Sequence, residues 1–231
     1  LLLYGFSFLY GAGGSMGLDA IRDRLESLRA SGGTMGTMAK IALAFVLAGL
    51  GFRITAVPFH FYAADVYQGT THENAALLSA LPKIAGLTVL VRVVAVGMTG
   101  VASYAWPALL VLSVFTMTLG NLLALWQQNV RRLLAYSSIA HAGYLLIGLA
   151  VAMAPASGGQ GHWDGLGAML FYLLGYSVAT IGAFAVLAVF GEEGRQLDRV
   201  EELSGLAWTA GRLRPLLAWM LALLLFSLAG I

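Results

Sequence analysis

The sequence predicts an all-α, polytopic transmembrane helix bundle, and three observations carry that prediction. Hydrophobic residues make up 59% of the 231 positions, charged residues only 10%, and mean hydropathy is +0.83. Apolar stretches recur along nearly the whole chain, each close to the roughly 20 residues that one crossing needs. Runs such as IALAFVLAGL, from Ile41 to Leu50, are unbroken. A barrel strand would instead alternate with a period of two, so helices are the structures that satisfy the backbone in hydrocarbon.

Taken in order, the membrane segments are Leu1 to Ala12, Met38 to Val57, Ala75 to Met98, Tyr104 to Trp126, Leu133 to Met153, Leu166 to Phe190, and a partial one from Leu216 to Ile231. That reading gives about six crossings and a remnant. The chain starts without Met and ends inside WMLALLLFSLAGI, so it is expected to be a single transmembrane domain, 1–231, cut through a helix at each end. Two connections are longer and charged. In the first, 15–36, Leu18, Ile21, Leu25 and Leu28 recur at helical spacing opposite Asp19, Arg22, Asp23 and Glu26, with Ser15 as the expected N-cap. This pattern predicts an amphipathic helix lying along the interface. The second, 191–214, is predicted to be a polar loop, after which Pro215 opens the last helix. Arg131, Arg132, Arg195, Arg199, Arg212 and Arg214 fall at one face, and Arg22, Arg24, Arg29 and Lys40 at the other. The first group makes the better cytoplasmic face under the positive-inside rule.

Several chemistries are excluded by composition. The chain has no cysteine, which removes disulfides, thiolate-held iron–sulfur clusters and thiolate zinc sites. A formal charge of +2, with its charges in loops, carries no nucleic-acid signature. GAGGSMG, from Gly11 to Gly17, lacks the dinucleotide spacing and follows no strand, so it reads as a turn. No Walker motif, zinc pattern or serine elbow is present, and no cofactor is expected in this chain.

The candidate functional residues are the ionisable groups placed in apolar sequence, where such a residue is a functional-site hypothesis by default. Arg53 and His60 lie within GLGFRITAVPFHFYAADVYQG, and Pro58 between them removes a backbone hydrogen bond and is expected to interrupt the helix. Lys83, preceded by Pro82, sits about halfway along its segment, too deep for easy snorkelling. It calls for a facing acid, a polar cavity or a neutral amine, and a lysine that gains and loses its proton is a relay part. Arg92 is nearer the helix end and reads as a snorkelling interface residue. His60 and His141 titrate near neutrality when unperturbed, so each suits either a proton carrier or a satisfied structural histidine. His72 and Glu73 stand at the start of the Lys83 helix, where Glu73 complements the N-terminal dipole in a capping role.

These blocks, GLGFRITAVPFHFYAADVYQG, LPKIAG, QQNVRRLLAYSSIAHAGYLLIGL and LLLFSLAGI, occur in order along nearly the whole chain. Together they resemble the subunit N family of proton-pumping NADH–quinone oxidoreductases, whose members are antiporter-like membrane subunits. The resemblance implies a long helix bundle with a break at the PFH site and a central hydrophilic axis that moves protons. It implies as partners the other subunits of the complex, which hold NADH, flavin, iron–sulfur clusters and quinone, and a bacterial plasma membrane as the location. It also implies proton-path roles for Lys83 and His60 and a matching basic position for Arg131. Arg53 departs from the family, which usually carries lysine there. Arginine keeps the charge but is effectively never deprotonated, so Arg53 is expected to set the local potential and not to pass protons. TTHENAAL, from Thr70 to Leu77, departs again from a proline-rich stretch and brings its own titratable pair, His72 and Glu73. Three readings follow: a proton-translocating oxidoreductase subunit, a subunit of a multisubunit cation/proton antiporter or membrane hydrogenase, and a non-pumping structural subunit in which Arg53 is a fixed charge.

Overall fold

The computed structural model describes residues 1–31, 35–155, 163–191, 197–208 and 213–229. The predicted positions Arg195 and Arg212 lie outside the described residues. The helices are α1 (Leu2–Gly13), α2 (Leu18–Ser31), α3 (Met35–Arg53), α4 (Phe61–Gln68), α5 (His72–Leu90), α6 (Ala102–Ala124), α7 (Val130–Met153), α8 (Trp163–Phe190) and α9 (Arg214–Ala229). A π-helical turn, Val91–Gly97, continues α5, and a short 3-10 turn, Thr99–Val101, leads into α6. Among the described residues five helices are long and apolar enough to cross a membrane: Gly36–Arg53, His72–Gly97, Thr99–Ala124, Val130–Met153 and Asp164–Phe190. The sixth expected crossing, Leu1 to Ala12, corresponds to α1, of which this chain holds 12 residues. α9, with 16, falls short of a full span among the described residues.

α2 forms as its periodicity requires. Ile21 and Leu25 are buried while Asp19, Asp23 and Glu26 face outward, so its apolar side covers the end of the bundle at the π turn. Gly97 and Gly100 meet Leu18 and Leu25 there so closely that a Cβ on Gly100 would come within 2.7 Å of the Leu25 backbone. The expected cap, Ser15, accepts a hydrogen bond from the Gly17 N–H at 3.2 Å instead, one residue before the helix begins. Glu26 accepts from Thr99 at 2.9 Å and Lys40 lies 3.7 Å over the Tyr104 ring, which pins the same end.

The interrupted helix is present, but its stop differs from the expected one. α3 ends at Arg53, before Pro58. The Ala56 N–H bonds back to the Gly51 carbonyl at 2.8 Å and the Thr55 N–H to Phe52 at 3.3 Å, with Thr55 at φ 63°. These are the paired bonds of a Schellman cap, with threonine in the left-handed position that glycine usually occupies. The chain then turns through a cis Val57–Pro58 bond. The Val57 N–H finds Thr116 Oγ1 on α6 at 3.0 Å, and Tyr62 donates to the Phe52 carbonyl at 2.8 Å. Backbone groups exposed by the break are thus satisfied inside the protein, as hydrocarbon demands. Ile54 packs on Gly86 in the middle of α5, and α4 carries the chain onward to the opposite end.

α7 is the axis of the bundle. Gly120 and Gly143 let α6 lie against it, and Gly148 and Gly165 do the same for α8. Its first residues are tied to the segment before α9. The Val130 N–H bonds to the Asp198 carbonyl at 2.8 Å and the Val200 N–H to Gln128 at 2.9 Å, around an isolated antiparallel bridge between Asn129 and Arg199.

Candidate functional site

Lys83 is 1% exposed although Pro82 and Lys83 lie inside α5. Its Nζ donates to the carbonyl and to the hydroxyl of Ser138 on α7, and to the Tyr176 hydroxyl on α8 at 3.2 Å. Tyr176 in turn donates to Ser138 Oγ at 2.8 Å or to the Ser79 carbonyl at 3.3 Å. Tyr67, from the DVYQG block on α4, interacts with the Ser138 side chain from another side. The facing acid that Lys83 could have required is not found: its hydrogen-bond partners are neutral oxygens. Such a site holds an amine in either protonation state, because the hydroxyls can turn to donate or accept.

His141, one turn beyond Ser138 on α7, adjoins this cluster through a ring contact and has a hydroxyl partner of its own. The His141 ring lies 4.9 Å from the Tyr176 ring, and its Nδ1 is 2.6 Å from the Tyr172 hydroxyl. Tyr144 meets the same imidazole edge-on at 5.7 Å and accepts from Asn121 on α6 at 2.9 Å. His141, Tyr144, Tyr172 and Asn121 line a cleft of about 720 Å³ between α6, α7, α8 and α9, together with Ser137, Gln127 and Leu228. Lys83 and His141 therefore belong to one connected set of side chains.

The other candidates stand apart from it. Arg53 is exposed on the last turn of α3, where a cation complements the helix C-terminus, and it has no hydrogen-bond or ion-pair partner among the described residues. Its stem packs beside Gly86, one turn from Lys83. His60 is half-buried at the N-terminus of α4, across the break, with the Pro58 backbone beside its ring and Nδ1 sealed from solvent without a well-formed hydrogen bond. Arg131, 7% exposed, donates to the Thr70 carbonyl and to Asp198 at 2.6 Å, so it clasps the start of α5 and the Asp198 segment to α7. Thr71 caps α5, accepting from the Asn74 N–H at 3.4 Å, while Glu73 is exposed in the first turn. His72 is 1% exposed beneath the Arg131 clasp. Arg92 is exposed on the π turn, as expected of a snorkelling residue.

Sequence reasoning missed Ser138, Tyr67, Tyr172 and Tyr176. The available signal was spacing: Tyr172 and Tyr176 lie four apart on an otherwise apolar helix, and Ser138 and His141 three apart, so each pair shares a face. No group of three or more His, Asp or Glu that could hold a metal occurs among the described residues.

A broken apolar helix bundle with a lysine sealed among hydroxyls defines a polytopic membrane protein with an ionisable group in its interior. The family described as NADH:quinone oxidoreductase/Mrp antiporter, TM matches residues 1–231, and the chain belongs to it. It is 39% identical over 232 residues to NADH-quinone oxidoreductase subunit N 1 of Rhizobium meliloti, covering 100% of this chain and 45% of that protein. To subunit N 2 of Sorangium cellulosum it is 40% identical over 238 residues, again with 100% of this chain and 44% of the relative covered. Among solved structures it resembles a chain of respiratory complex I from Thermus thermophilus, at 35% identity and TM-score 0.74 over 100% of this chain and 44% of that one. A chain of the Mrp complex from Dietzia sp. is similar at 28% identity and TM-score 0.78, covering 100% and 39% respectively. The chain thus spans less than half the length of the relatives it matches.

Proposed function

We propose that this chain is part of a membrane subunit of an NADH–quinone oxidoreductase that translocates protons across a bacterial plasma membrane, driven by electron transfer from NADH to quinone. Lys83 is the group that takes up and releases the proton. The observation that carries the reading is a fully buried lysine bonded only to neutral oxygens, continuous through Tyr176 with His141. The likeness to subunit N relatives at 39 and 40% identity supports the oxidoreductase over the antiporter reading, since the Mrp likeness is closer in shape but lower in sequence. Electron transfer belongs to partner subunits that hold flavin, iron–sulfur clusters and quinone. Within this single transmembrane unit, Arg53 and His60 mark the break, where Arg53 supplies a fixed charge, and α2 lies along the interface. Arg131 is a positioning residue.

The test is Lys83→Ala in the complete chain within its assembled complex. NADH-driven proton uptake by inverted membrane vesicles should fall by at least about tenfold per NADH oxidised, the scale of losing one proton-transfer group. Wild-type uptake in this variant would overturn the reading.

A further inference from the structure

The Lys83 cluster touches His141 through the Tyr176 ring on one side, and on the side toward the start of α5 it is followed by further buried polar groups. α5 and α8 run antiparallel, with two contacts that set their register: the His72 and Phe184 rings lie 6.3 Å apart, and Tyr176 reaches the Ser79 carbonyl at 3.3 Å. Between these contacts α5 presents Ala75 and Ala76, and α8 presents Ala179, Thr180 and Ala183, all buried. Close packing of small residues explains the approach of two membrane helices. It does not explain the polar groups sealed within that seam. His72 has neither ring nitrogen in a well-formed hydrogen bond, although the Leu197 backbone lies beside it. Thr180 Oγ1 is likewise sealed without a well-formed bond, on the side that faces the Tyr176 hydroxyl. Both residues are at least nine-tenths buried, at 1% and 2% exposure. Polar atoms left in this condition are commonly satisfied by internal water.

We propose that His72 is the proton-uptake residue of this site, passing protons to Lys83 through water held between α5 and α8 at Thr180 and through the Tyr176 and Ser138 hydroxyls. The charged groups around His72 are Arg131 on α7, Asp198 on the segment before α9, and Glu73 on its own helix, whereas α8 presents the neutral Phe184. The Asp198 side chain is 46% exposed and bonded to Arg131, which places a water-exposed carboxylate in the electrostatic surroundings of this sealed imidazole, at the face rich in arginine. A proton taken from water on one ring nitrogen is matched by one released from the other. Each hydroxyl accepts a proton on oxygen and gives up the one it carried, and the Lys83 amine ends as ammonium. The seam from His72 to Ser79 is about 10 Å long at the helical rise, a span of a few waters.

This inference rests on Lys83 being the proton-handling group, and the experiment separates the two. The complete chain is assembled in its complex, and proton uptake per NADH oxidised is measured in inverted vesicles for His72→Gln, Ala76→Leu and Lys83→Ala, with complex content followed on native gels. His72→Gln should lose uptake by about tenfold, and imidazole added to the medium should restore part of it. Ala76→Leu fills the seam without touching a titratable group and should lose uptake without rescue by imidazole. Wild-type uptake in both variants while Lys83→Ala is inactive would overturn the His72 route alone. Wild-type uptake in Lys83→Ala would overturn the reading beneath it.

Discussion

At the scale of single residues, the buried lysine, Lys83, is held at little benefit to stability. Buried amines are expensive to desolvate, and apolar replacement of a buried polar network is often neutral or stabilising. Ser138 and Tyr176 already bond each other at 2.8 Å, so they remain satisfied without Lys83. Lys83→Met should therefore abolish proton uptake while thermal unfolding in detergent stays at or above the wild-type temperature. Thr55 is the opposite case, a residue in the left-handed conformation at φ 63° that closes the α3 cap. Thr55→Gly should stabilise the protein by about 1 kcal/mol, measured by the same unfolding, because glycine adopts that conformation without the steric cost. Arg53→Lys should leave assembly intact and change the pH profile of proton uptake, since it replaces a permanent charge with a titratable one at the break. An unchanged profile would remove Arg53 from the site. The depth of Lys83 was legible in its apolar surroundings, as was the presence of a break near Pro58. The acceptors of the Lys83 amine were not, because which faces of α5, α7 and α8 meet is decided by packing between helices far apart in sequence.

At the scale of elements, glycines set how closely helices approach, and the same residue type has opposite consequences at different places. A Cβ at Gly143 would come within 2.6 Å of the Met117 backbone nitrogen, and one at Gly120 within 2.6 Å of Ala140 N, both at the α6–α7 crossing. Gly143→Ala should cost about 1–3 kcal/mol by forcing those backbones apart. Gly175→Ala, on α8 with nothing within 4 Å of the added carbon, should be neutral or slightly stabilising. Thermal denaturation of the pair checks both, and equal losses would remove the crossing as the cause. The longer apolar helices were legible from hydropathy, with ends displaced by a few residues, whereas α4, Phe61–Gln68, was not expected because its eight residues are too few to show a membrane-length apolar run. The stop at Arg53 was displaced because a Schellman cap with threonine in place of glycine leaves no familiar mark in sequence, whereas Pro58 draws attention to itself.

Across the whole molecule, burial is graded: 67% of the α7 span is buried but only 22% of the span ending in α6. Among the described residues, the most buried of these helices is therefore the one that carries Ser138 and His141, and the least buried is the one that supplies Thr116 to the break. α8 adds a length argument. Its 28 residues extend about 42 Å, roughly 12 Å beyond a typical hydrocarbon core. A helix with that excess is accommodated by tilting, by local thickening of the bilayer or by reaching into the headgroup region, and each depends on the thickness of the surrounding bilayer. Tyr172, Tyr176 and Thr180 are spaced along this one helix, so its angle sets how each hydroxyl meets α5 and α7. Under the proposed function, lipid chain length then becomes a tuning variable for proton transfer. Complexes reconstituted in short-chain and long-chain phosphatidylcholine should differ in proton uptake per NADH, and equal coupling in both would show that α8 holds its angle against the membrane.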